Sequence, residues 1–64
     1  DVALRSLPAE HREILLLREV EGLSYAEMAI ALETQEGTVK SRLARARVAL
    51  LDRWRRTNRE QDRG

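Results

Sequence analysis

The sequence contains no cysteine, which excludes disulfides and metal sites built from thiolates. No apolar run approaches the ~20 residues that a membrane span needs, and no signal-peptide pattern is present. The lack of cysteine is compatible with a reducing cytoplasm without proving it. We expect a cytoplasmic domain with no metal, cofactor, membrane or small-molecule substrate as partner. Because the chain of 64 residues starts with Asp1 and not with Met, we also expect it to be part of a longer protein.

The sequence also lacks the alternating apolar pattern of β-strands. Its proline, glycine and capping residues are instead spaced as they are at the ends of helices. The single proline, Pro8, suits the first position of a helix, which we expect to end near Glu21 with Gly22 as a left-handed cap. Ser24 and Glu27 have the spacing of a capping box, which predicts that a short helix begins there.

A long helix is predicted next, from about Gln35 to Arg53 or beyond, with Thr34 as its N-cap. A helix, a turn, a short helix, a tight break and a long helix follow one another in the order of a helix-turn-helix. The predicted fold class is all-α: a small helical domain of about four helices with the last as recognition helix. We assign residues 1–56 to this domain and residues 57–64 to a polar, disordered tail.

Acidic side chains are concentrated in one part of the chain and basic side chains in the other. Residues 1–36 carry three arginines and eight acids, a net charge of −5, whereas residues 37–59 carry eight cations and one aspartate, a net charge of +7. Such asymmetry favours a polyanion as partner of the basic part. A basic helix that is merely solvated is the alternative, and charge alone leaves both open.

The long helix has one apolar side and one side of small and basic residues. At 100° per residue the positions Val39, Leu43, Ala46 and Leu50 lie within about 40° of one direction, with Trp54 close by, which predicts a buried stripe. The opposite side carries Gly37, Ser41, Ala44, Arg45 and Val48, with Thr38 and Lys40 on its flanks. Small residues there would let the helix enter a major groove, where Lys40, Ser41 and Arg45 offer donors to base edges. Arg42 and Arg47 lie nearer the core and suit phosphates better.

Four consecutive apolar residues, Ile14–Leu17, cover more of a helix than one core face can bury. Packing against both neighbouring helices is one explanation. The alternative is that part of this run, together with Val20 or Leu51, forms a surface for a protein partner. The candidate partner-binding residues are Leu15, Leu16, Val20 and Leu51.

The stretch LPAEHREILLLREVEGLSYAEMAIALETQEGTVKSRLARARVAL resembles region 4 of bacterial sigma factors, specifically the compact extracytoplasmic-function group. The most specific parts are the LP…R…L…EGLSY.E.A opening and GTVKSRL.RAR. The resemblance implies binding of the minus-thirty-five promoter element, docking on the flap of the RNA polymerase β subunit, and an anti-sigma factor as regulator. It further implies Lys40, Ser41, Ala44 and Arg45 as groove-facing contacts, with Thr38 and Arg42 as neighbours that position the backbone.

One position departs from the family pattern, because the family usually has Gly where Glu33 stands. Glu33 must therefore adopt a left-handed conformation or shift the turn. It also places an acid near DNA phosphates, which predicts a low affinity for the isolated domain.

Three other classes of protein are weaker alternatives. Response-regulator output domains of the quorum-sensing type share the EGLS…E.A…L…TVK skeleton, but they usually carry His where Arg42 stands. An enzyme is poorly supported, because the single histidine, His11, has no nucleophile or carboxylate arrangement that converges with it. A pure protein-interaction module would leave the basic face without a role.

Overall fold

The computed structural model describes the backbone of residues 2–63 and the side chains of residues 3–59. It contains four α-helices, which are α1 (Val2–Arg5), α2 (Ala9–Leu15), α3 (Tyr25–Ala31) and α4 (Glu36–Arg63). A five-residue π-helix, Leu16–Val20, continues α2. Residues 2–63 include no strand, so the all-α prediction is confirmed.

The start of α3 is held by the predicted capping box. The Ser24 hydroxyl accepts a hydrogen bond from the Glu27 backbone N–H at 3.1 Å, and the Glu27 carboxylate accepts one from the Ser24 N–H at 2.8 Å. Just before it, Gly22 has a φ of +71°, as predicted for a left-handed cap after the preceding helix. Both predictions are confirmed, and together they fix where α3 begins.

The turn between α3 and α4 places Glu33 in the left-handed region, with a φ of +53°. The Glu33 N–H donates to the Ile30 carbonyl at 3.2 Å and the Thr34 N–H to the Ala29 carbonyl at 2.9 Å, which is the hydrogen-bond pattern of a Schellman motif. Of the two conformations open to Glu33, the left-handed one is observed. Because Thr34 closes this motif and α4 starts at Glu36, Gln35 and not Thr34 occupies the N-cap position, and the Thr34 prediction is wrong.

The π-helix divides the apolar run that the sequence predicts within one continuous helix. The Glu21 N–H donates to the Leu16 carbonyl at 3.0 Å, five residues back, so this turn contains more residues than an α-helical turn. Ile14 and Leu15 are buried, Leu17 is half-buried against the core, and Leu16 is 36% exposed. Two residues of the run thus serve the core and Leu16 reaches the surface, while its contact with a protein partner stays a prediction.

The core lies where α4 crosses the other three helices. In α4, Val39 and Ala46 are fully buried and Leu43 nearly so, which confirms the predicted inner stripe over the first half of this helix. Met28 of α3 is also fully buried. The remaining core residues are Leu7, Ile14, Leu15 and Ala29. The core thus fixes the rotation of α4 about its axis and thereby selects the face that points outward.

Towards its C-terminus α4 remains helical through Arg63. An ion pair between Asp52 and Arg56 at 3.3 Å joins successive turns, and the Thr57 hydroxyl donates to the Arg53 carbonyl at 3.0 Å. The division into a domain of residues 1–56 and a polar, disordered tail of residues 57–64 stays a prediction. Gly64 lies outside the described residues.

Candidate nucleic-acid interface

The outer face of α4 is the side opposite Val39, Leu43 and Ala46. Its members are all exposed: Gly37, Ser41, Ala44, Arg45 and Val48. A Cβ atom added at Gly37 would meet no other atom within 4 Å, so the surface is open at the start of the helix. The structure therefore brings the predicted groove-facing residues together on one accessible strip.

The flanking residues differ in how free their side chains are. Lys40 and Arg42 are exposed and Thr38 is half-buried. Arg47, in contrast, is turned towards the π-helix, where its Nη2 atom lies 2.7 Å and its Nε atom 3.2 Å from Glu19 Oε1. The Glu19 carboxylate raises the pKa of Arg47 further above its ordinary value. Of the seven predicted DNA-binding residues, Arg47 is the one held in an ion pair within the described part of the chain.

The Tyr25 ring, which the sequence analysis did not assign to this site, lies close to Lys40 and to Arg18. The Lys40 ammonium is 5.5 Å from the centre of the Tyr25 ring, and the Arg18 guanidinium is 4.8 Å from the same point. Tyr25 is expected from its spacing to lie in the apolar stripe of α3, and it is half-buried there. Its proximity to Lys40 has no local sequence signal, because 15 positions separate the two residues.

An apolar groove of about 430 Å³ lies between α1, the π-helix and the second half of α4. All four candidate partner-binding residues line it, but they differ in exposure. Leu15 is only 3% exposed and belongs to the core, whereas Leu16, Val20 and Leu51 are open to solvent, Val20 at 73%. The other lining residues are Ala3, Leu4, Glu19, Arg47, Leu50 and Trp54.

Trp54 is less covered than its place beside the inner stripe of α4 predicts. Its side chain is 53% exposed and lines the groove. The buried stripe of α4 includes Val39, Leu43 and Ala46 but does not extend to Trp54. The exposed indole thus adds apolar surface to the groove.

The structure offers little for other kinds of site. Among the described residues, no three His, Cys, Asp or Glu side chains converge as ligands for a metal ion. No helix among them is both long and apolar enough to span a bilayer. His11 is half-buried in α2.

Comparison with known proteins decides the family. Residues 1–50 match the family described as "Sigma-70, region 4". The chain belongs to this family. The sigma-70 region 4 chain is 47% identical over 47 residues to the "ECF RNA polymerase sigma-E factor" of Salmonella typhimurium strain LT2 and of Escherichia coli K12. The aligned residues cover 73% of the chain and 25% of each relative. The "RNA polymerase sigma-H factor" of Pseudomonas aeruginosa is also 47% identical over 47 residues, with 24% of its length covered.

The family match confirms the resemblance seen in the sequence and does not favour the response-regulator alternative. No solved structure matches the chain significantly. The chain spans about a quarter of the length of the curated relatives that it matches. The match covers α1 to α3 and α4 up to Leu50, and thus includes the whole outer face described above.

Proposed function

We propose that this sigma-70 region 4 chain is the promoter-recognition domain of an alternative RNA polymerase sigma factor, and that the outer face of α4 binds the major groove of the minus-thirty-five element. One observation carries the proposal: a single helix buries Val39, Leu43 and Ala46 on one side and exposes small and basic residues on the other. The role is binding and not catalysis. We propose that the domain acts in the cytoplasm, where DNA and the polymerase meet.

The dimensions of DNA suit this face. A major groove about 12 Å wide admits one α-helix, and its guanines present paired acceptors to Arg or Lys. Gly37, Ser41 and Ala44 have side chains short enough for the α4 backbone to come close to the bases. Lys40 and Arg45 then supply donors that reach base edges. The outer face thus combines close approach with hydrogen-bonding capacity.

The phosphates bordering the groove would be contacted from the flanks of the helix. Arg42 is exposed and suits a phosphate, and Thr38 would position the backbone beside it. Arg47 reaches a phosphate only by leaving Glu19. Since both partners of that pair are about half exposed, the pair contributes little to stability and its exchange for a phosphate is inexpensive.

We further propose that the apolar groove docks the flap of the RNA polymerase β subunit, and that an anti-sigma factor competes for it. Leu16, Val20, Leu51 and Trp54 expose apolar surface along one opening, and exposed apolar patches of this kind mark protein contacts. The residues of α4 that line the groove are Arg47, Leu50, Leu51 and Trp54. All four follow Arg45 along the helix, so the domain could hold promoter and polymerase at once.

The proposal predicts different losses for two neighbouring arginines. Arg45→Ala is expected to cost about 1–3 kcal/mol of binding to the preferred promoter element and to flatten discrimination at one base pair. Arg42→Ala is expected to weaken binding to all sequences about equally and to reduce the salt dependence by roughly one counterion. The control is Arg55→Ala, which removes the same charge about 15 Å further along the helix than Arg45.

The measurement is binding of matched and single-mismatch duplexes at several salt concentrations. It uses the sigma factor that carries this domain, assembled with RNA polymerase, because the isolated domain is expected to bind weakly. Equal loss on all duplexes for Arg45→Ala would remove Arg45 from the base-reading residues and shift that role to Lys40. If Arg55→Ala weakened binding as much as the other two, net charge and not the outer face would explain the affinity.

A further inference from the structure

Lys40 belongs to the proposed DNA-binding face, yet its side chain is held by residues outside α4. Its ammonium lies 5.5 Å from the centre of the Tyr25 ring, within the ~6 Å over which a ring attracts a cation. Neither Lys40 nor Arg18 has a carboxylate within salt-bridge distance among side chains 3–59. The ring is therefore the charged or aromatic partner that the structure gives to Lys40 among the described side chains.

The ring itself is held by two sets of contacts. Tyr25 is the first residue of α3, directly after the Ser24 capping box, and it packs half-buried against the core. The Arg18 guanidinium also contacts the ring, 4.8 Å from its centre, while its Nη1 atom donates to the Leu23 carbonyl at 2.7 Å. A well-anchored arginine thus supports the ring to which Lys40 is attracted.

A lysine side chain in contact with a fixed ring loses less conformational entropy on binding. A free lysine side chain has many rotamers, and ordering it at an interface opposes association. Contact with a fixed ring restricts those rotamers before DNA arrives, while the ammonium keeps its three donors free. The arrangement therefore pre-organises a cation at the edge of the outer face.

We infer that Tyr25 is a positioning residue for promoter binding, which acts through its aromatic ring on Lys40. The inference rests on the proposed function and adds to it a residue of α3 that lies outside the recognition helix. The ring is the essential part, so Phe at this position should serve as well as Tyr.

The test is a double-mutant cycle on promoter affinity, measured with the sigma factor assembled with RNA polymerase. Tyr25→Leu is expected to weaken binding of the promoter duplex about two- to fivefold, the effect of losing one exposed cation–π contact. In a Lys40→Ala background the same change should have no effect, because the group that it positions is gone. Tyr25→Phe should bind like the wild type.

Each outcome supports or overturns the inference. Tyr25→Met, which fills a similar volume without a ring, is measured beside Tyr25→Leu after assembly with the polymerase is confirmed. Independent effects of Tyr25→Leu and Lys40→Ala would overturn the inference, and so would a loss in Tyr25→Phe, which would point to the hydroxyl. Failure of both non-aromatic variants to assemble would show that Tyr25 serves the fold alone. Failure of the wild type to bind promoter DNA would instead remove the proposed function.

Discussion

Glu33 offers a test of whether the turn between α3 and α4 is strained. A side chain in the left-handed region costs roughly 1–2 kcal/mol relative to glycine, and Glu33 has a φ of +53°. Glu33→Gly removes that strain but gives the unfolded chain more freedom, which costs about 0.4–1 kcal/mol. The expected net result is a stability that is unchanged or raised by up to about 1.5 kcal/mol.

Glu21→Gly is the matched control. Glu21 is also exposed and follows a helix, but its φ is −85°, so glycine relieves no strain there. Neither carboxylate forms an ion pair among the described side chains, and both changes remove one negative charge. Glu21→Gly should therefore lose about 0.4–1 kcal/mol of stability, and the two variants should differ by roughly 1–2 kcal/mol.

Thermal unfolding followed by far-UV circular dichroism measures this difference, since 1 kcal/mol shifts Tm by about 4–8 °C in a domain of this size. Glu33→Asn adds a second comparison, because Asn tolerates the left-handed region and does not loosen the unfolded chain as Gly does. Equal changes in Tm for Glu33→Gly and Glu21→Gly would refute the reasoning and show that Glu33 stores no strain in the folded state.

Three further predictions concern other parts of the fold. Ser24→Ala should lower stability by roughly 0.5–2 kcal/mol through loss of the N-cap acceptor, and an unchanged melting temperature would exclude that role. The hydrogen bond from the Ser24 backbone N–H, followed by one from its hydroxyl, lowers the pKa of Glu27 below 4.5. The stability that Glu27 contributes is therefore present above pH 4.5 and lost as the pH falls through the lowered pKa, and acid titration of Glu27→Gln should lack this loss. Leu16→Asp should weaken assembly with the polymerase or with an anti-sigma factor while helicity persists, with the exposed Ile30→Asp as control. If no partner complex responds to Leu16→Asp, Leu16 is not part of a partner surface.

Local signals explain why much of the fold could be predicted from the sequence. Ser24 and Glu27 act within one helical turn, Gly22 provides its own backbone freedom, and the inner stripe of α4 repeats at helical spacing. Each of these signals lies within a few residues of the structure that it determines. The exposed outer face followed from the same periodicity.

The features that escaped prediction depend on contacts between distant parts of the chain. The ion pair of Glu19 with Arg47 joins residues 28 positions apart, and the ring of Tyr25 meets Lys40 only after α3 has docked on α4. The π-helix has no residue signature of its own in the run Ile14–Leu17. Trp54 is exposed although its position continues the apolar repeat of α4. We attribute this to the length of α4, which is much longer than the helices that pack on it.

Because α4 is one uninterrupted helix, its outer face and its side of the groove share a fixed angular phase. One residue inserted between Arg47 and Leu50 would rotate the two surfaces against each other by about 100° and turn Leu51 and Trp54 out of the groove. An insertion of seven or eleven residues would change that angle by only about 20° but would lengthen the separation by about 10 to 17 Å. We therefore expect this part of α4 to tolerate changes of length only as near-whole numbers of turns, because any other change alters the angle between the groove and the outer face.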